Sequence, residues 1–271
     1  ATFAPGSAPV DGQGLNPLLQ DVWMTIHPPV LFLGYAAMTV PFALALAAVA
    51  RRDRDGWVRP ALPWVALAAA TLAAGIVLGA VWAYEVLGWG GYWGWDPVEN
   101  GSLVPWLAGV ALLHGLLVQR AAGHLRRANL ALAVTGYALV VYASFLTRSG
   151  VLADFSVHSF ADEGLTGFLL AFLAVVALAG YGTLLARPGG PPRPAERVEG
   201  ASRGSLMLLG LLVLAVLCAL VTVGMSAPLI LRALGRAGSV QPDYYNRVSG
   251  PLAILLWRPW RDGTVCGRAM T

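Results

Sequence analysis

Long apolar stretches separated by short polar ones run along most of the chain. A helix of about 20 apolar residues crosses the ~30 Å hydrocarbon core of a bilayer. Six stretches are close to this length: 29–50, 60–84, 103–118, 128–147, 165–186 and 206–230. A shorter apolar run at 248–256 either begins a seventh span or lies at the membrane interface. The pattern predicts an all-α fold, a polytopic integral membrane helix bundle.

Composition supports this reading and narrows the possible functions. The chain of 271 residues is 57% hydrophobic and only 12% charged, whereas a soluble domain carries about 25% charged residues. The net charge is +4, and every basic residue is Arg. These Arg lie between apolar blocks and no basic patch is interleaved with aromatics, so nucleic-acid binding is not indicated and the bilayer is the expected partner.

The Arg distribution predicts an orientation in the membrane. The segments 51–59, 119–127 and 187–204 together contain 11 Arg, whereas the alternating segments 1–28, 85–102 and 148–164 contain one, Arg148. The positive-inside rule therefore places the Arg-rich segments in the cytoplasm and the others outside.

These features predict four regions along the chain. Residues 1–28 form an external N-terminal segment. Residues 29–187 form a transmembrane core, with external segments at 85–101 and 148–164. A Pro- and Gly-rich cytoplasmic linker occupies 188–205. Residues 206–271 contain a further transmembrane helix and an external or interfacial segment, expected to be incomplete.

The external segment "GWGGYWGWDPVEN", residues 88–100, concentrates aromatic rings and Gly. Its rings, from Trp89, Tyr92, Trp93 and Trp95, suit either a large flat ligand or anchoring at the lipid interface. The Gly residues permit sharp turns and close backbone approach. Asp96, followed by Pro97, is predicted to cap the next helix, with Glu99 in its first turn.

Two of the four His residues lie on the same predicted side as this segment. His27 precedes the first apolar block, where Pro28 and Pro29 are expected to start a rigid helix, and His158 lies in the loop after the fourth block. Two imidazoles approaching from opposite sides are suitable axial ligands for haem iron, and Arg148 could pair with a propionate. The alternative is that these His residues are structural and the aromatics are an ordinary interfacial belt.

The other two His residues lie elsewhere. His114 is in the third apolar block, about 16 Å from its start at residue 103, and an ionisable residue at that depth is a functional hypothesis. The alternative is a neutral imidazole bonded to a neighbouring helix. A second His for a buried haem is absent from the other blocks. His124 lies among Arg residues and is interpreted as a solvated loop residue.

Several motifs in the same order resemble a known family. The sequences "WGGYWGWDPVEN", "PWLAGVALLHG", "HPPVLFLGY" and "TRSGVLADFSVHSF" resemble the haem-handling membrane proteins of cytochrome c maturation, which share a Trp-rich WWD segment. Of the CcmF, CcmC and CcsA types, the motifs are most similar to the CcmF-type haem lyases. The similarity extends over 15–186, and more weakly through "PDYYNRVSGPL".

The resemblance implies residue roles and partners. His27 and His158 would ligate delivered haem at the WWD segment, and His114 would ligate a resident haem b whose other ligand lies in a later helix. The chain would be a central portion of a longer protein in the bacterial inner membrane, with a periplasmic active face. The implied reaction joins haem to the CxxCH motif of apocytochrome c, with a CcmE-like carrier and CcmH-like thiol-handling subunits as partners.

Two other functions are compatible with the same residues. One is a haem transporter or chaperone of the WWD family without ligation activity. The other is a transporter of a different flat or anionic ligand, in which the aromatics serve only as an interfacial belt.

Overall fold

The fold consists of helices joined by short connections. The computed structural model describes residues 14, 17–88, 90–153, 156, 158–160, 164–187, 203–236 and 238–261, and no strand occurs among them. A 3-10 turn, Pro17–Leu19, precedes seven helices: α1 Val22–Arg51, α2 Val58–Val86, α3 Pro97–Ala122, α4 Arg126–Arg148, α5 Thr166–Ala186, α6 Arg203–Ala233 and α7 Pro242–Arg261. Helices α1 to α6 are long and apolar enough to cross a membrane, which confirms the predicted helix bundle.

Helix α3 is the centre of the bundle. It packs against α2, α4 and α6, while α1 pairs with α2, α5 lies mainly on α4, and α7 contacts α6. The side chains of Leu112 and Leu116 on α3 are fully buried, as are Leu72 on α2 and Leu146 on α4. Helix α3 is accordingly the most buried of the six candidate spans, and α5 is the least buried.

Small residues bring the helices close together. A Cβ on Gly75 of α2 would lie 2.8 Å from the Cα of Leu31, so the backbones of α1 and α2 approach closely at this point. Met38 is fully buried and fits beside Gly109 and Gly136. Such small-residue contacts are the usual means by which helices associate in lipid. Because α1 and α2 are antiparallel neighbours, the start of α1 meets the end of α2.

Helix α1 begins earlier than predicted. The side chain of Asp21 accepts a hydrogen bond from the backbone N–H of Trp23, which satisfies one of the unpaired donors at a helix start. His27 therefore lies inside the helix, followed by Pro28 and Pro29 within it. The prediction that the two prolines start the helix is wrong, because the Asp21 cap supplies an earlier start.

Helix α3 also begins before the apolar block that predicted it. Its capping residue, Asp96, is the one predicted. The Asp96 side chain accepts from the backbone of Val98 and Glu99, and the Glu99 side chain returns to the Asp96 backbone, forming a capping box. The helix runs on to Ala122, so His114 lies about 12 Å from its C-terminal end. The predicted apolar block ended at residue 118, about 6 Å beyond His114, so the helix continues further past His114 than predicted.

Helix α7 is not among the six candidate spans. It buries Tyr245 almost completely, at 1% exposure, and leaves Ile254, Leu255 and Trp257 exposed on its other side. The helix therefore attaches to the bundle through one face.

Candidate functional site

Two indole side chains tie the start of α1 to the end of α2. The Nε1 of Trp82, on α2, donates to the carbonyl oxygen of Leu18 at 3.2 Å. The Nε1 of Trp23, on α1, donates to Oε2 of Glu85 at 2.9 Å. Trp82 is only 3% exposed, so the position of its ring is set by both packing and a hydrogen bond.

His27 lies against the same part of α2. Its imidazole stacks on the Trp82 indole, with ring centroids 5.9 Å apart and planes at 19°. A Cβ on Gly79 would come within 3.0 Å of the His27 Nδ1, so the absence of a side chain there makes room for the ring. Among the residues that the structure describes, neither nitrogen of His27 has a hydrogen-bond partner, although both atoms are buried. The imidazole is held by packing, and its polar atoms are unused.

His158 reaches the same indole from a different segment, the loop that follows α4. Its ring meets Trp82 edge to face, with centroids 5.6 Å apart and planes at 67°. The His158 backbone N–H donates to Oγ of Ser156 at 3.1 Å, and that hydroxyl donates to Oδ1 of Asp96 at 2.7 Å. The structure thus brings the two predicted outer His residues together at one Trp.

The Asp96 carboxylate lies beside the His158 imidazole. Its Oδ1 lies 3.6 Å from the His158 Nδ1. Burial by itself raises the pKa of the Asp96 carboxyl, but His158, the Ser156 hydroxyl and the Glu99 backbone N–H together hold that pKa below its usual value. The ionised carboxylate therefore caps α3 and contacts the imidazole at once.

Strong local constraints shape the Trp-rich segment. Gly88 and Gly90 have positive φ values of 65° and 73°, as their predicted role in sharp turns requires. Trp95 also has a positive φ, 58°, which is unfavourable for a residue with a side chain. This conformation accompanies an indole that stacks on Tyr245 of α7 at 5.0 Å and donates to Asn246 at 2.9 Å.

The rings predicted to form one platform have different partners. Tyr92 is 56% exposed and stacks on Tyr84 at 4.3 Å. Trp93 meets Trp95 edge to face at 6.1 Å, and its buried Nε1 has no hydrogen-bond partner among the described residues. Trp89 lies outside the described residues. One face of the Trp95 ring is covered by Tyr245, and the single stacking platform stays a prediction.

The remaining predicted residues lie in two places. Arg148 is exposed at the end of α4, and its guanidinium lies 4.8 Å above the Phe160 ring. His114 is half-buried on α3, with its Nδ1 2.8 Å from the carbonyl oxygen of Val110. Since a carbonyl oxygen only accepts, Nδ1 carries the proton, and Nε2 is left as the ligating atom. No cluster of three or more His, Cys, Asp or Glu suited to a metal ion occurs in the described residues.

Sequence reasoning missed several residues of this site. Trp82 and Gly79 were taken only as part of an apolar span, and Ser156 only as a loop residue. One signal was available: Gly79, Trp82 and Glu85 are spaced by three residues, which places them on one face of a helix. No pattern indicated Ser156, because its role depends on the path of its loop.

The described residues thus form a helix bundle in which two imidazoles converge on one indole at one end. The family model of the cytochrome c assembly proteins matches residues 1–152. The chain belongs to the cytochrome c assembly protein family. This finding confirms the resemblance noted from the Trp-rich segment.

The curated relatives include CcmF proteins of cytochrome c biogenesis. The chain is 45% identical to CcmF of Pseudomonas aeruginosa, over 92% of this chain and 38% of the relative. It is 40% identical to CcmF of Escherichia coli K12, over 92% and 39% respectively. It is also 40% identical to the probable biogenesis protein NrfE of that organism, over 91% of this chain and 45% of NrfE.

A solved structure shares the fold. The cytochrome c haem lyase CcmF superimposes with a TM-score of 0.70 at 32% identity, covering 88% of this chain and 35% of the solved chain. This chain therefore spans well under half the length of the relatives that it matches.

Proposed function

We propose that this chain forms the haem-binding part of a cytochrome c haem lyase, with His27 and His158 as the axial ligands of delivered haem. The observation that supports this most is the meeting of two imidazoles from separate segments at one indole. The relatives support the reaction class, since the structurally similar protein is a cytochrome c haem lyase.

The residues present fit a haem. A buried imidazole normally has a hydrogen-bond partner, yet both nitrogens of His27 lack one among the described residues, and iron coordination would satisfy one of them. The buried N–H of Trp93 is a suitable donor to a propionate. Arg148, exposed at the end of α4, would bind a propionate bidentately.

In this proposal the protein binds and orients the haem, while the haem and the thiols supply the bond-forming chemistry. Haem brings two vinyl groups, and each adds one S–H of the CxxCH motif to form a thioether. His27 and His158 fix the iron between them, and Asp96 keeps the His158 imidazole oriented through its Nδ1. The haem would come from a CcmE-like carrier on the periplasmic face, where apocytochrome c and a CcmH-like subunit would dock.

His114 would hold one side of a resident haem b. Its Nδ1 proton is engaged by the carbonyl of Val110, which orients the ring and leaves Nε2 for iron, as is usual for metal-bound His. In this proposal His27 and His158 are engaged by the delivered haem and His124 lies between α3 and α4, so the second ligand of the resident haem would be a residue outside these 271. When bound, haem b would supply an electron for reducing the delivered iron.

Complementation tests the proposal. In a strain whose own haem lyase gene is deleted, we expect the wild-type gene to restore covalent holocytochrome c, detected by haem staining. His27→Ala and His158→Ala should reduce the product by at least about tenfold, since each removes an iron ligand. His124→Ala is the matched control, because His124 lies beyond the opposite end of α3. Full activity of either ligand variant would contradict the proposal.

The same deletion strain distinguishes a haem lyase from the alternative, a haem handler without ligation activity. A handler would bind ferric haem through His27 and His158 and yet produce no covalent cytochrome with any substrate tested. Wild-type haem binding combined with no thioether formation would favour the handler.

A further inference from the structure

The contacts of Trp82 with His27 and His158 also limit the angle between the two imidazole planes. Trp82 stacks on His27 with planes at 19° and meets His158 with planes at 67°. The angle between the two imidazole planes must lie between the difference and the sum of those angles, that is, between 48° and 86°. The two imidazoles are therefore crossed, and a parallel arrangement is incompatible with their contacts to the indole.

Trp82 is well placed to maintain this arrangement. It is 3% exposed, and its Nε1 is hydrogen-bonded to the Leu18 carbonyl, so its ring has little freedom to rotate. Gly79, on the same face of α2, leaves only enough room beside the His27 Nδ1 for the imidazole. The contact with Trp82 and the close approach to Gly79 together oppose rotation of the His27 ring within the site.

The same geometry indicates that Trp82 does not stack on the face of the haem. An imidazole that binds iron through a ring nitrogen has its plane perpendicular to the porphyrin. A ring stacked on that imidazole is then also close to perpendicular to the porphyrin, and it presents an edge to the haem. Trp82 is therefore suited to orient the ligands, and stacking on the macrocycle is left to other rings.

We propose that Trp82 is a positioning residue that holds the His27 and His158 imidazoles in crossed planes around the iron of the delivered haem. The inference rests on the proposed function, in which these two His residues ligate one haem. It adds a defined ligand orientation and a residue that imposes it.

Electron paramagnetic resonance of ferric haem tests the orientation directly. Low-spin ferric haem with crossed axial imidazoles gives one highly anisotropic signal with a large g value, whereas near-parallel imidazoles give a three-line rhombic spectrum. The purified chain, carrying His114→Ala so that only the outer site is occupied, would be loaded with ferric haem b. We expect the highly anisotropic signal, and a rhombic spectrum would overturn the inference.

Substitution of Trp82 tests its role. Trp82→Leu removes two ring contacts, and we expect about tenfold weaker ferric haem binding and loss of the crossed-plane signal. Trp82→Phe retains an aromatic ring but not the bond to Leu18, and we expect the signal to persist with a smaller loss of affinity. Trp64→Leu is the matched control on α2, because Trp64 is 42% exposed, and it should leave the spectrum unchanged.

The outcomes separate this inference from the proposed function. If low-spin haem persists in His27→Ala or His158→Ala, the proposed ligands are wrong and the inference fails with them. If both variants lose it but Trp82→Leu keeps the crossed-plane signal, the haem site stands and the role of Trp82 is overturned. Should Trp82→Leu not accumulate, the haem affinity of Trp82→Phe decides the question, since an affinity equal to that of the wild type would overturn the role of Trp82.

Discussion

The Oδ1 of Asp96 lies 3.6 Å from the Nδ1 of His158, although the two residues belong to different segments of the chain. Asp96 lies in the Trp-rich segment and caps α3, and His158 lies in the loop after α4. One carboxylate therefore joins the start of a transmembrane helix to a candidate iron ligand, so the orientation of that ligand depends on the cap.

Substitution of Asp96 by Asn should weaken haem binding without unfolding α3. Asn is as good a helix cap as Asp, whereas loss of the charged partner of a ligating His typically costs about 10- to 100-fold in affinity. Titration of the purified protein with ferric haem measures the change. Asp53→Asn, at an exposed turn beside Gly56, is the control, and equal affinity of Asp96→Asn and wild type would contradict the prediction.

Addition of one methyl group at Gly79 should displace His27. The new Cβ would lie 3.0 Å from the His27 Nδ1, closer than nonbonded atoms normally approach, so the imidazole must shift. We expect ferric haem affinity to fall about tenfold in Gly79→Ala, as expected for about 1.4 kcal/mol. Gly182→Ala on α5 meets no atom within 4 Å and should bind haem normally; a similar loss there would point to a general effect of helix substitution.

The buried amide of Asn129 should contribute more to stability than a nearby surface ion pair. Its Nδ2 donates to the Gly115 carbonyl and to Gln119 Oε1, each at 2.8 Å, and the residue is fully buried. Asn129→Ala removes both hydrogen bonds and takes the donor from the Gln119 Oε1, which costs about 1–3 kcal/mol.

The comparison variant is Arg126→Ala. Arg126 forms an ion pair with Asp55 at 2.6 Å, but the Asp55 side chain is 53% exposed. Loss of this ion pair should therefore lower the free energy of unfolding by less than about 1 kcal/mol. Thermal unfolding in detergent measures the loss of stability in both variants. A smaller shift for Asn129→Ala than for Arg126→Ala would show that the buried network is not stabilising.

Attachment of α7 should weaken in alkaline solution. Burial raises the pKa of Tyr245 from its ordinary value of 10.0 to about 12. With α7 detached the phenol ionises above pH 10, while in the docked helix it stays protonated until about pH 12, so the docking free energy declines between these values.

Limited proteolysis of α7 and Trp fluorescence between pH 9 and 11.5 would follow this change, since Tyr245 stacks on Trp95. Tyr245→Phe retains the ring without an ionisable group and should remove most of the pH dependence. An unchanged pH profile in that variant would mean that another group is responsible.

The spans and the cap of α3 were predictable because their signals are local. Apolar length predicted six helices, and Asp96 followed by Pro97 predicted the cap of α3, with Glu99 in its first turn, as the structure has them. The start of α1 was predicted wrongly because two local signals competed. Pro28 and Pro29 suggested a start, and the Asp21 cap a few residues earlier prevailed.

The site itself was predictable only in outline. The Arg distribution predicted that His27, His158 and the Trp-rich segment lie on one side of the membrane, but it did not indicate that both imidazoles contact Trp82. Trp95 was expected on a haem platform, and the structure pairs it with Tyr245 of α7. Both outcomes depend on residues far apart in the chain.

The sequence by itself determined the class of this protein, its six apolar helices and the residue types available to bind haem. These properties follow from hydrophobic length, charge placement and short motifs, each of which acts over a few neighbouring residues. Only the tertiary structure decided which rings meet, how the two imidazoles are crossed and that Asp96 contacts His158. Those relationships require the close crossing of α1 and α2 at Gly75 and the return of the loop after α4, and contacts between distant segments leave no periodic signal in a sequence.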